Sequence, residues 1–242
     1  MRLLSLDSST EILSVAAIEF ADRERRVFCA EHSVDAGLGH ARRVMPSVSR
    51  LLTEAGWRLR ELDAILVGAG PGSFTGLRIA YATAKGLSAG SGVPYLGVSS
   101  LQAFAFPYRS YPGLVVPVID ARKRRYYSLL LHEGERLSDE LDLGAEELAA
   151  TTAAIASSRE LNAVPPLLTG PGAEQLYSAL APLSGASAVP GLRLAHDARR
   201  PPAVALVELG RDRIARGEFD SPSSGPIYIR KSEAEIGILR KK

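Results

Sequence analysis

Three short β-leaning runs open the chain, Leu3 to Leu6, Leu13 to Ile18 and Arg26 to Ala30, separated by turn-sized gaps at Ser8 to Glu11 and Ala21 to Arg25. A change of hydrophobic period immediately after them constrains the fold most. Val44, Val48, Leu51, Leu52 and Ala55 fall at i, i+4, i+7, i+8 and i+11, and Gly56 stands where a helix would stop. This predicts an amphipathic helix from about His40 to Ala55, with Pro46 tolerated near its first turn or bending it. Ala64 to Val67 is a continuous apolar run of buried-strand length. A Gly-rich turn, a second helical stretch from about Thr75 to Ala89 and a strand at Tyr95 to Val98 come next. The order βββαβαβ sets a three-strand meander beside two crossover units. It predicts a mixed five-stranded sheet with helices on its faces, because hairpins pair antiparallel and crossovers return parallel.

A second pass begins at Leu114. Val115 to Ile119 is a buried-type strand ending in Asp120, followed by a basic turn and a hairpin partner at Tyr126 to Leu131, which imitates the start of the chain. Helices are expected at Ala145 to Ser157, Ala173 to Leu180 and Ala203 to Arg216, and a strand at Leu167 to Thr169. The expected class is therefore α/β with a ribonuclease-H-like order in two lobes of mixed sheet. The lobes are expected at 1–105 and 106–242, with the C-terminal helix and tail in the second.

Composition agrees with a packed fold: 242 residues, 46% of them apolar, are enough to fill a core. Cys29 is the single cysteine, so an internal disulfide framework is excluded and a reducing, cytoplasmic setting is expected. A mid-strand position predicts a buried, inert thiol there. The longest uncharged stretch, Gly86 to Tyr108, contains four Gly, four Ser, Gln102, Pro94 and Pro107, and does not read as a membrane helix. Asp7 interrupts the apolar start too early for a signal peptide. With a net charge of +2 the whole chain has no strong field for nucleic acid, although Arg122 to Arg125 and Arg240 to Lys242 are locally basic.

The densest motif is Gly68-Ala-Gly-Pro-Gly-Ser-Phe-Thr-Gly-Leu-Arg78, between a strand and a helix. Free backbone N–H groups at a helix start form an anion site in principle. The string nevertheless fails the Walker A template, and its glycine after Gly70 and Gly72 comes at Gly76, one residue late for a dinucleotide fingerprint. Phosphate binding and a structural turn both stay open. Along the following helix Gly76, Ala80, Thr83, Ala84 and Leu87 share a face of mostly small residues, which suits close approach of another helix within the lobe or in a partner. Asp7-Ser8-Ser9-Thr10 and Asp120 end equivalent strands, where a carboxylate either handles phosphate or holds a turn. His32 and His40 have no histidine four residues away, and His132 and His196 are isolated, so no metal pair is assigned. There is no Gly-x-Ser-x-Gly elbow for a nucleophile.

Five segments taken together resemble one family. Leu6-Asp-Ser-Ser-Thr10, His40 with Met45-Pro46, Gly70-Pro-Gly-Ser-Phe-Thr-Gly-Leu-Arg78, Asp120-Ala-Arg122 and Pro226-Ile-Tyr-Ile-Arg230 are similar in content and order to the bacterial tRNA threonylcarbamoyladenosine biosynthesis family TsaB, or YeaZ. The resemblance implies an actin-like ATPase (ASKHA) fold whose second lobe is reduced, and a noncatalytic subunit without cofactor or metal. It implies partnership with a TsaD-like paralogue that carries His-x-x-x-His and transfers threonylcarbamoyl to the adenosine beside the anticodon of tRNAs reading ANN codons. A TsaE-like ATPase, and the chain itself as a homodimer, complete the implied partners; tRNA is met through the complex, and no membrane is involved. Family pairing through first-lobe helices makes His40, Val44, Val48, Leu51, Gly76, Ala80, Thr83, Ala84 and Leu87 the candidate interface. Asp7, Ser8, Gly70, Gly72 and Asp120 would be the nucleotide-facing set if the chain were instead an autonomous ATPase or small-molecule kinase. The basic turn after Asp120 departs from the family pattern and receives no implied role.

Overall fold

The computed structural model describes residues 1–22, 25–37, 39–181 and 191–229. β1 (Arg2–Asp7), β2 (Ile12–Phe20) and β3 (Arg26–Asp35) form the expected meander, followed by α1 (His40–Ala55), β4 (Ala64–Gly68), α2 (Phe74–Ser91) and β5 (Tyr95–Val98). The first sheet has the order β3-β2-β1-β4-β5. β1 pairs antiparallel with β2 and parallel with β4, and β4 pairs parallel with β5. A short helix absent from the sequence-based expectation, α3 (Ser100–Ala105), leads into the second lobe. Ser99 caps it, accepting from the backbone N–H of Gln102 at 3.4 Å.

The second lobe holds β6 (Val115–Asp120), β7 (Arg125–Ser128), β8 (Leu131–His132), β9 (Glu135–Arg136), β10 (Leu141–Gly144), α4 (Ala145–Ser158), β11 (Leu167–Thr169), α5 (Ala173–Leu180) and β12 (Arg193–Leu194), before α6 (Ala203–Ala215). Its main path, β10-β7-β6-β11-β12, repeats the first sheet's pattern of two antiparallel pairs followed by two parallel ones. The expected duplication is therefore present, with the later strands shortened. This is the two-lobed α/β arrangement of the ribonuclease-H-like, actin-like class.

Both faces of the first sheet are covered, which explains why its strands read as nearly continuous apolar runs. Leu4, Leu6, Leu13, Val15, Ile65 and Val67 pack under α1 and α2. Leu3, Ala16, Ile18, Leu66 and Leu96 point the other way, onto α6. The expected lobe boundary needs a correction here: α6 belongs to the first lobe. Its start is pinned by Ser5 Oγ donating to the Ala203 carbonyl at 2.7 Å and by Ala203 N–H donating to Ser14 Oγ at 3.0 Å. A Cβ at Gly210 would strike the Leu66 side chain, so the helix packs closely on the side chains of the sheet. The α4 and α5 side of the second sheet forms a separate core, and α3 packs Leu101, Phe104 and Ala105 on its other face. Cys29 is also corrected, being exposed rather than buried; among the described residues β3 is the outermost strand of its sheet, and its burial alternates. The basic tail Arg240 to Lys242, Arg230 and the last part of the expected second lobe lie outside the described residues.

Candidate functional site

The C-terminal end of β1 is closed by the chain's own side chains and backbone. Asp7 is fully buried. Its Oδ1 accepts from Ser9 N–H at 2.8 Å and Ser9 Oγ at 2.7 Å, and its Oδ2 accepts from Ser100 Oγ at 2.6 Å. Ser8 Oγ donates to the Gly76 carbonyl at 2.7 Å, and Ser73 N–H donates to the Ser9 carbonyl at 2.6 Å. Asp7 thus organises a turn, one of the two roles that its sequence allowed. Burial raises its pKa above the usual carboxylate value, and the bonds from Ser100 and Ser9 only partly counter this.

The glycine string explains how the turn is closed. Gly68, Gly72 and Gly76 stand four residues apart, and a Cβ on each would strike Asp7, Ser9 and the Ser8 carbonyl respectively. Gly70 takes a φ of +97°, open to glycine alone in practice, and its carbonyl receives Ser100 N–H at 2.9 Å. These glycines bring the β4–α2 loop and the β1–β2 turn into backbone contact. Of the nucleotide-facing set, Asp7, Ser8, Gly70 and Gly72 lie together where these two loops meet, with both Asp7 oxygens engaged by serines. Asp120 differs, being only partly buried, with Oδ1 accepting from Arg122 N–H at 2.7 Å. A Cβ at Gly172 would crowd Asp120 N, so the second lobe repeats the glycine-on-turn packing.

Ser100 is the residue that sequence reasoning missed. A signal exists in Ser99 followed three residues later by Gln102, a helix-start pattern inside a stretch rich in Gly and Ser. His40, at the start of α1, is buried beside this cluster, and its Nδ1 has no hydrogen-bond partner among the described residues. Burial lowers its pKa below the usual imidazole value, opposed chiefly by the charge of Asp7.

The candidate interface also needs correcting. Val44, Val48, Leu51, Ala80 and Ala84 are all within 3% of full burial, and they pack on the first sheet. Gly76 and His40 are engaged at the β1–β2 turn. Thr83 and Leu87 are half-buried. The apolar stripe is buried as its period implies, but its destination is the sheet. The exposed side of the two helices carries Met45 and Pro46 among Arg42, Arg43 and Arg50 on α1, and Ala82, Gly86 and Ala89 on α2. Met45 is 44% exposed, and nothing lies within 4 Å of where a Cβ at Gly86 would stand.

A strap seals the far side of the glycine string. Asp220 N–H donates to the Tyr95 carbonyl at 2.9 Å and its Oδ2 accepts from Gly97 N–H at 3.1 Å. Ile227 N–H donates to the Ala69 carbonyl at 2.8 Å, and the Tyr228 ring lies 5.0 Å from Phe74. Among the described residues no cluster of His, Cys, Asp and Glu is arranged to hold a metal, and no helix is long and apolar enough to cross a membrane.

Residues 34–166 match the family model of TsaD, tRNA N6-adenosine threonylcarbamoyltransferase. The structure is similar to YeaZ from Pseudomonas aeruginosa, with a TM-score of 0.73 and 30% identity, covering 94% of this chain and 99% of that one. The sequence is 36% identical over 128 residues to the tRNA threonylcarbamoyladenosine biosynthesis protein TsaB of Bacillus subtilis, covering 53% of this chain and 54% of the relative. To the Escherichia coli TsaB protein it is 35% identical over 138 residues, covering 52% of this chain and 53% of the relative. The alignments thus span about half the length of the curated relatives.

Proposed function

The chain belongs to the TsaD-related family and, within it, is of the TsaB or YeaZ kind, and on that premise we propose that it is a noncatalytic subunit of the machinery that makes threonylcarbamoyladenosine in tRNA. The supporting observation is the closed turn at Asp7. Both carboxylate oxygens of Asp7 and the backbone around them are engaged by Ser9, Ser100 and the glycine string. The chain then acts by docking. Its partner is a TsaD-like paralogue that carries the chemistry, and a TsaE-like ATPase joins the pair.

The docking surface in this reading is the outward face of α1 and α2. Small residues at Ala82 and Gly86 allow a partner helix to approach closely, and Met45 supplies an adaptable apolar contact. A second copy of the chain would compete for the same face. Co-expression with the longer paralogue from the same genome, followed by light scattering, tests the pairing. Depletion of the chain in cells, with mass spectrometry of tRNA nucleosides, tests the pathway. The proposal predicts a stable heteromer and loss of threonylcarbamoyladenosine; unchanged modification after depletion would remove it.

A further inference from the structure

The exposed side of α1 and α2 is charged as well as apolar. α1 carries Arg42, Arg43 and Arg50 against one acid, Glu54, and α2 carries Arg78 and Lys85 against none. The two helices pack together, so five cations and one carboxylate stand on one region of a chain that is nearly balanced overall at +2. Arg42, Arg43, Arg50 and Arg78 are exposed, and Lys85 is half-buried. Among the described residues none of the five forms an ion pair. Arg78 is held by uncharged groups instead, its guanidinium 3.8 Å from the centre of the Phe74 ring and its Nε donating to the Tyr228 hydroxyl at 3.3 Å.

The acids near the ends of α1 are engaged elsewhere. Asp35, before the helix, pairs with Arg199. Glu61, after it, pairs with Arg2 and accepts from Arg58 N–H at 2.6 Å, and Asp63 accepts from Arg2 N–H at 2.6 Å. Glu54 follows Arg50 by four residues, the weaker order for a pair along a helix. The region therefore keeps four cations in excess, which the chain itself does not neutralise.

Met45 and Pro46 on α1 and Ala82, Gly86 and Ala89 on α2 are exposed among these cations. Small and apolar side chains suit close packing against another protein, and no exposed position of either helix has an aromatic ring on which a base could stack. A two-fold dimer opposes a patch to itself, so self-pairing through this face sets the positive excess of one copy against that of the other. We infer that the face takes a partner surface bearing carboxylates and that its charge selects against a second copy of this chain. The inference rests on the proposed docking role and adds the chemistry of the occupant: a helical face with Asp or Glu around a small-residue centre. Against such a face the arginines gain counter-charges, whereas in a self-pair they are the repulsive element.

The test mixes the full chain with the longer paralogue from the same genome and follows heteromer and homodimer by sedimentation equilibrium at about 50 and 500 mM KCl. The heteromer Kd should rise about tenfold with salt, while self-association should tighten about threefold as repulsion is screened. The informative variant is Arg42→Glu with Arg50→Glu. Both positions are exposed and glutamate is a good helix former, so the change reverses charge without adding bulk or touching the core. It leaves three carboxylates and three cations on the two helices. The heteromer should weaken at least tenfold and the homodimer should tighten, a pair of opposite movements that damage to the fold would not produce. Arg42→Gln with Arg50→Gln should fall between the parent and the charge-reversed variant. Unchanged heteromer affinity in the Glu variant overturns the inference, as does a homodimer that loosens with salt in the parent. An intact heteromer that loses binding to a tRNA transcript overturns it in favour of a polyanion as the occupant. A parent chain that forms no heteromer at either salt removes the docking role and this inference with it, whereas a heteromer indifferent to salt and to charge reversal removes only the inference.

Discussion

Ser100 Oγ donates to Asp7 Oδ2 at 2.6 Å across 93 residues of sequence. The bond ties the end of the first strand to the start of the helix that leads into the second lobe. It also occupies the carboxylate oxygen that Ser9 leaves unbound, so the β1–β2 turn and α3 are fixed by one buried acid.

Ser100→Ala should therefore destabilise the protein by about 1–3 kcal/mol at neutral pH, the cost of leaving a buried acceptor without its donor. Asp7 already has a raised pKa in the fold, so this group disfavours folding increasingly as pH rises from the ordinary carboxylate value through the folded one. Without Ser100 the anion is less supported still. The loss should shrink at acid pH, where the carboxyl is protonated, and urea unfolding at pH 4 and 8 measures the difference. Equal losses at both would mean that the bond does not stabilise the charge.

His40 works in the opposite sense. Its folded pKa lies below the usual value of 6.5, so the unfolded chain takes up the proton first and stability falls as pH drops through that region. His40→Gln should flatten this acid limb relative to the parent, and because the charges of His40 and Asp7 support each other it should also raise the Asp7 pKa further. Parallel curves for parent and variant between pH 7.5 and about 5.5 would refute the assignment.

Glycines on one helix should respond with opposite signs. Gly76→Ala places a methyl against the Ser8 carbonyl and should lower stability by about 1–3 kcal/mol or more. Gly86→Ala adds a methyl in open space within a helix and should raise it by about 0.5–1 kcal/mol. Thermal melts of both variants check the pair.

The two faces of α1 and α2 predict separable failures. Val48→Arg and Ala80→Arg put a charge into the first-lobe core and should abolish the cooperative fold, by circular dichroism. Met45→Arg and Ala82→Arg alter exposed positions, should keep the fold, and should weaken association with the paralogue or a second copy at least tenfold. Folded exposed-face variants that still pair normally would move the docking surface elsewhere.

The elements of this protein were largely determined by local pattern. The spacing of Val44, Val48 and Leu51 and the stop at Gly56 define α1 as it stands, and Tyr95–Val98, Leu167–Thr169 and Ala173–Leu180 have the ends that their sequences suggest. Periodicity and caps act over a few residues, so they survive without tertiary context. The repeated β-sheet pattern followed from element order for the same reason. Destination, by contrast, needed the folded chain. An apolar stripe specifies that a face is buried but not against what, so Ala80 and Ala84 face the sheet while Ala82 and Gly86 face outward. α6 lies on the first lobe because Ser5 and Ser14 hold Ala203 there, across nearly the whole chain. The glycine string, compatible in isolation with phosphate, became a packing device only when Gly68, Gly72 and Gly76 met Asp7, Ser8 and Ser9. Contacts of that separation depend on how the backbones approach in space, and no spacing along the chain records it.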